Sequence, residues 1–229
     1  MALSMTALGY GEMPLCSPTH PQRPLLARLD GLRFSYGATQ VFNDLTLALP
    51  AGLTLVRGAE SCGKSTLLRL LGGALRPEQG ALEWLWIDSA QSPLDATQRD
   101  IYWIDPRDER HDADSARTYF DQLRARHSRF SFATLDALVR DLGLSEHLEK
   151  PLYTLSTGSK RKVWLAGAFA SHCRLTLIDE PFAALDQRSV ACVRNWLNRV
   201  AGDTECAWVM ADYAAPEGVA ITHQVALDA

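Results

Sequence analysis

Gly58, Gly63, Lys64 and Ser65 stand at the spacing G-x-x-x-x-G-K-[ST], the pattern of a loop that wraps phosphate groups. The chemistry follows from the residue types. Glycines permit a tight turn whose backbone N–H groups converge on phosphate oxygens, and the start of the following helix adds partial positive charge. The loop is expected to present Gly58, Ala59, Glu60, Ser61, Cys62, Gly63, Lys64, Ser65 and Thr66 to a nucleoside triphosphate. Lys64 would reach the terminal phosphates, and the Ser65 hydroxyl would ligate Mg²⁺. Cys62 is read as a small residue suited to a cramped turn.

A second set of residues belongs to the same chemistry. Leu175-Thr176-Leu177-Ile178 is an apolar run ending in Asp179 and Glu180. A strand that delivers two carboxylates beside a phosphate loop can hold Mg²⁺ with the first, Asp179. The second, Glu180, can then polarise an attacking water as general base.

The elements that must position these residues are readable around them. Leu25–Tyr36 and Val41–Leu49 alternate as strands about a turn at Gly37, and residues 53–56 form a short apolar strand entering the loop. Residues 64–75 have helical composition, with Arg76-Pro77 as the stop. Further strands are expected at Gly80–Ile87, Ile101–Ile104, Leu175–Ile178 and Ala207–Met210, and helices at 158–171 and 187–200. Residues 116–148 read as helices without an intervening strand. Strands alternating with helices predict an α/β fold with a mostly parallel core sheet. To this are added an antiparallel β part and a helical subdomain inserted at about 106–157. Residues 1–24, with four prolines, are expected to be a poorly ordered extension, and 25–229 a single domain. His111, Asp112 and Asp114 lie together in a polar stretch, read as a solvated loop rather than a metal site.

Composition narrows the function. The chain of 229 residues carries a net charge of −4, which gives no electrostatic support to a general nucleic-acid role. Five cysteines without paired spacing suggest a reducing compartment. No apolar run approaches a bilayer-spanning length, and no signal peptide is expected. Service at a membrane would require docking on a partner.

The motifs together resemble those of the ATP-binding cassette (ABC) ATPases, over roughly residues 25–228. Leu155-Ser156-Thr157-Gly158-Ser159 is similar to the family's Leu-Ser-Gly-Gly-Gln signature. Phe182-Ala183-Ala184-Leu185-Asp186 resembles the segment that follows the paired carboxylates. Tyr36 lies 22 residues before Gly58, where the family stacks an aromatic on adenine. The resemblance implies ATP and Mg²⁺ as ligands and a homodimer or heterodimer of cassettes closing head to tail on two ATP molecules. Ser156 and the Gly158 N–H would serve the partner's γ-phosphate. It further implies an integral membrane permease subunit as partner, no nucleic acid, and a cytoplasmic, peripheral location on the inner face of the membrane. The short single-cassette layout is similar to ATPase subunits of small exporters, including the haem exporter of cytochrome c maturation.

Three motifs depart from the family's pattern. Thr157 and Ser159 replace glycine and glutamine in the signature. Asp105, followed by Pro106, stands where the Q-loop glutamine is expected, as a candidate Mg²⁺ or water ligand. Asp212, 32 residues past Glu180, stands where the switch histidine belongs; His223 lies 43 residues past Glu180 and is assigned instead to a closing edge strand. A carboxylate about 4 Å from another negative charge costs on the order of 4 kcal/mol at an effective dielectric near 20. The expected function is therefore an ATPase subunit energising a transporter, with turnover slower than usual. The alternative is a regulatory, weakly hydrolysing subunit paired with another cassette. A chromosome-type ATPase needs a long coiled coil between loop and signature, and only 92 positions separate Lys64 from Ser156. A GTPase would need an Asn-Lys-x-Asp guanine reader, which is missing from the sequence.

Overall fold

The structure is a computed structural model and describes residues 23–86, 100–105 and 108–227. Ile87, Pro106, and residues 1–22 of the expected extension lie outside the described residues.

Two sheets carry the chain. β1 (Leu25–Tyr36), β2 (Thr39–Pro50) and β4 (Gln79–Trp84) form an antiparallel sheet in the order β2-β1-β4. Along β1 the buried and exposed residues largely alternate, so one face of this sheet is apolar. The second sheet is parallel throughout. It holds β3 (Gly52–Arg57), β5 (Ile101–Trp103), β6 (Leu175–Asp179), β7 (Ala207–Asp212) and β8 (His223–Ala226), in the order β5-β6-β7-β3-β8. β3, β6 and β7 are near-continuous apolar runs, buried on both faces as a helix-covered parallel sheet requires. The edge strand β8 pairs His223 with Thr54.

Helices pack on this sheet. α1 (Lys64–Leu71) follows β3 directly and buries Leu67, Leu68, Leu70 and Leu71. It is shorter than the expected 64–75. Gly72 caps it, with its N–H on the Leu68 carbonyl, and Gly73 turns away at φ +73°, so glycine ends this helix before Pro77 is reached. α2 (Ala116–Arg126) and α3 (Phe132–Asp141) are N-capped by Ser115 and Ser131, each accepting a backbone N–H three residues on. No strand separates them, as expected. α4 (Thr157–Ser171) is N-capped by Ser156, and α5 (Gln187–Ala201) by Asp186. One apolar cluster joins α2, α3 and α4 to the α5 side of the parallel sheet; a second joins α1 to its other side and to the antiparallel sheet.

The polar stretch at 111–114 is less solvated than its composition suggests. Asp112 pairs with Lys160 on α4, and His111 Nδ1 lies 3.1 Å from Asp114 Oδ2. Among the described residues no group of His, Cys, Asp and Glu is arranged to hold a metal ion.

Candidate nucleotide site

Parallel register puts the site at one edge of the sheet. Ala211 on β7 lies opposite Val56 of β3 on one side and Asp179 of β6 on the other, and Asp212 lies opposite Arg57. The strands therefore end together, and the loops that leave them meet at the carboxyl edge, where open parallel sheets bind ligands.

The loop after β3 has the form of a cradle. Gly63 sits at φ +99°, and a Cβ there would press on Val41 Cγ1 at 2.8 Å and Phe42 Cζ at 2.9 Å. A Cβ on Gly58 would strike Cys62 Sγ and the Leu227 carbonyl. Both glycines are thus demanded by close packing, one against β2 and one within the loop. Cys62 fills the turn as its size suggests. Lys64 is buried, and its Nζ donates to the Gly58 and Ala59 carbonyls at 2.8 and 2.7 Å. The same ammonium lies 4.5 Å from the centre of the Tyr213 ring, a cation–π contact.

Ser65 Oγ donates to Asp179 Oδ2 at 2.6 Å. A hydroxyl and a carboxylate oxygen side by side form a hard donor set that suits a small divalent cation. Glu180 follows in the left-handed region at φ +48°, its N–H donating to the Ala211 carbonyl at 2.9 Å. A cleft of about 370 Å³ joins these groups; Tyr36, Glu60, Ser61, Lys64, Ser65, Thr66, Asp179, Glu180 and Tyr213 are among its walls. Tyr36 stands at its mouth, 45% exposed. The cradle, the lysine and the hydroxyl–carboxylate pair fit a nucleoside triphosphate with Mg²⁺.

The departing positions have definite surroundings. Asp105 Oδ2 accepts from Arg69 Nη2 at 2.6 Å and Nε at 3.0 Å. Arg69 Nη1 also lies 3.5 Å from the Tyr36 hydroxyl, and these two partners hold the guanidinium's pKa up. Asp105 shares an adjoining cleft of about 240 Å³ with Ser65, Asp179 and Glu180, but its carboxylate is engaged by an arginine. Asp212 ends β7, and its Oδ1 accepts the Tyr213 N–H at 2.7 Å. Burial raises its pKa above the ordinary range; Asp179 adds to the rise, and the Tyr213 N–H and Lys64 oppose it.

The signature residues lie elsewhere in the chain's architecture. Ser156 and Gly158 are at the start of α4 and are not among the walls of the cleft that holds Lys64. Gly158 abuts the Ala184 carbonyl so closely that a Cβ would collide with it. Lys162 Nζ reaches Asp186 Oδ2 at 2.6 Å; that contact and the Ser189 N–H hold the Asp186 carboxyl well below its usual range.

Three residues escaped the reading of motifs. Arg69 is at the end of α1, Tyr213 follows Asp212, and Arg161 lies within the basic run Lys160-Arg161-Lys162. Arg161 Nη1 donates to the Asp179 carbonyl at 3.0 Å and to the Glu180 carbonyl. Only the signature-like segment beside it hinted that this run faces the site.

A parallel sheet with a phosphate loop after one strand and paired carboxylates after another defines a P-loop nucleotide-binding protein. The comparisons carry this further. Residues 42–183 match the ABC transporter family. The chain is 30% identical over 195 residues to a cytochrome c biogenesis ATP-binding export protein of Cupriavidus pinatubonensis, covering 83% of this chain and 85% of that one. It is 30% identical over 224 residues to an aliphatic sulfonates import ATP-binding protein of Pseudomonas syringae pv. syringae, covering 92% and 75%. In fold it is similar to the structure of an ATP-binding subunit of an ABC transporter, with a TM-score of 0.71 at 22% identity over 82% of this chain and 79% of that one. The chain belongs to the ABC transporter family, among its ATP-binding subunits.

Proposed function

We propose that the chain hydrolyses ATP to energise a membrane transporter, working as one of a pair of cassettes that close on ATP. The observation that carries this reading is the 2.6 Å contact of Ser65 with Asp179 beside Lys64 and Glu180 in one cleft. Binding alone would not need Glu180 at the end of β6.

In this reading the loop N–H groups and Lys64 hold the phosphates, and Tyr36 stacks on the base. Ser65 and Asp179 would hold Mg²⁺, with Asp105 as a further candidate once released from Arg69. The ion would supply charge neutralisation on the phosphate oxygens. Glu180 orients a water and takes its proton. Ser156 and the Gly158 N–H open α4 away from the chain's own cleft, which favours their acting on the ATP of a second cassette, homologous or identical. No helix among the described residues is long and apolar enough to cross a membrane. Attachment to the inner face of the cell membrane would then come through a permease subunit, and the helical segment at about 106–157 is the proposed docking part. No nucleic acid is needed. Cargo and direction would belong to the permease.

A second reading is favoured by Asp212 and by the Arg69–Asp105 pair. It is a regulatory cassette with weak hydrolysis, paired with a faster one. Steady-state phosphate release from the purified chain, alone and with its partner, separates the two. Turnover abolished by Glu180→Gln supports the first. Tight ATP binding without release, alone and with partner, overturns it.

A further inference from the structure

Arg161 is costly where it stands. Its guanidinium is half-buried, and desolvation pulls its pKa down against the pull of Glu180 and Asp179. Its Nε is buried without a hydrogen-bond partner among the described residues. A side chain that only covered surface would not hold its charge there.

What it touches explains the position. Nη1 donates to two consecutive backbone carbonyls, those of Asp179 and Glu180. Glu180 has left-handed backbone at φ +48°, a conformation that a residue with a side chain leaves unless its surroundings hold it. Its peptide groups are held on both sides. The Glu180 N–H is bound by the Ala211 carbonyl on β7, and the Glu180 carbonyl by Arg161 and by the Ala183 N–H at 3.1 Å. β7 belongs to the sheet and the turn follows β6 directly, whereas Arg161 belongs to α4, the helix opened by Ser156. The backbone from which the Glu180 carboxylate projects is thus held in part by a contact from the signature helix.

We infer that Arg161 is a positioning residue for Glu180, and that through it turnover, but not nucleotide binding, depends on where the signature helix lies against the strand end. The inference rests on the hydrolytic reading above. Arg161 lines the adjoining cleft with Ser65, but its hydrogen bonds go to the carbonyls at the strand end, whereas Lys64 is held by the Gly58 and Ala59 carbonyls, so the phosphate cradle is expected to stay intact without it.

The test compares wild type, Arg161→Met, Arg161→Lys, Glu180→Gln and Arg161→Met/Glu180→Gln. The readouts are binding of a fluorescent N-methylanthraniloyl-ATP and steady-state release of phosphate from ATP. Arg161→Met is expected to bind the analogue within about twofold of wild type while kcat falls on the order of 10- to 100-fold at little-changed KM, the scale of a misplaced catalytic group. Arg161→Lys, with one ammonium for the two carbonyls, is expected to recover part of kcat. The double variant is expected to turn over no more slowly than Glu180→Gln alone, because the arginine acts through that residue. Additive losses, or equal losses of binding and kcat, would overturn the inference. So would wild-type turnover unchanged in Arg161→Met. If Arg161→Met does not fold, Arg161→Lys decides: weakened binding with kcat unaltered rejects the inference, and normal binding with lowered kcat supports it. A wild-type chain that binds the analogue but releases no phosphate sinks the hydrolytic reading and this inference together.

Discussion

Ser65 on α1 and Asp179 on β6 are 114 residues apart in the chain and share a 2.6 Å hydrogen bond. The loop and the carboxylate strand therefore meet already in the free chain, and a divalent cation would bind by replacing one short contact. Ser65→Ala is expected to leave the fold intact and to abolish most of the Mg²⁺ dependence of ATP binding. Titration of the fluorescent analogue with Mg²⁺ and with EDTA checks this; equal Mg²⁺ enhancement in variant and wild type would refute it.

Lys64 spends its donors on the Gly58 and Ala59 carbonyls, which keeps the loop closed around its own ammonium. Lys64→Ala removes both this brace and the cation facing the phosphates. A charged hydrogen bond is worth about 1.5–3 kcal/mol, so ATP affinity is expected to drop roughly 10- to 100-fold. Isothermal titration with ATP measures it.

Asp212 has a raised pKa in the folded chain, burial being the main cause. A raised value means that folding favours the protonated form. Its contribution is full below the ordinary aspartate range, near 3.9, and is lost as pH rises through the folded value. Asp212→Asn should therefore gain in Tm over wild type at pH 7, with the gain shrinking toward pH 4, as followed by thermal melts. Asp212→His is expected to raise phosphate release. Ordinary wild-type turnover that the histidine does not improve would remove Asp212 as the cause of slowness.

Gly158 has no room for a side chain, because the Ala184 carbonyl lies on it. Ala184 itself has φ +60°. Gly158→Ala must push this segment away or strain it, at a cost of about 1–3 kcal/mol. Urea melts of the isolated chain should show the loss. A neutral result would mean that the 182–186 turn is free to move.

Arg69 joins Asp105 to the Tyr36 hydroxyl. Both members of the ion pair are about a quarter exposed, at 30% and 24%, so their coupling should be modest, about 1 kcal/mol or less. A double-mutant cycle with Arg69→Gln and Asp105→Asn on thermal stability is expected to give that value. Arg69→Gln alone is expected to remove this ion pair from Asp105 and to sharpen the Mg²⁺ dependence of turnover, read by phosphate release across a Mg²⁺ series.

Much of this site is legible in the order of residues. The phosphate loop, the Asp179–Glu180 strand end and the signature-like turn are local, because a few neighbouring residues must share one short piece of backbone. The strand assignments around them hold for the same reason: alternation in β1 and near-continuous apolar runs in β3, β6 and β7 are written along each strand. Asp212 at a strand end and His223 on an edge strand agree with what the family resemblance implies once positions are counted from Glu180.

What the order of residues could not supply is the pairing of distant groups. Arg161 reads as one member of a basic run, and nothing along the chain says that its guanidinium lies on the Asp179 and Glu180 carbonyls while the ammonium groups of Lys160 and Lys162 take Asp112 and Asp186. Arg69 looks like an ordinary cation closing a helix until β5 is laid beside β6 and Asp105 is brought to it. The phosphate cradle is thus a property of sequence, since its N–H groups, glycines and lysine are contiguous. Which charges neutralise one another around it was decided only by the order β5-β6-β7-β3-β8, because ion pairing depends on distance in space and not on separation along the chain.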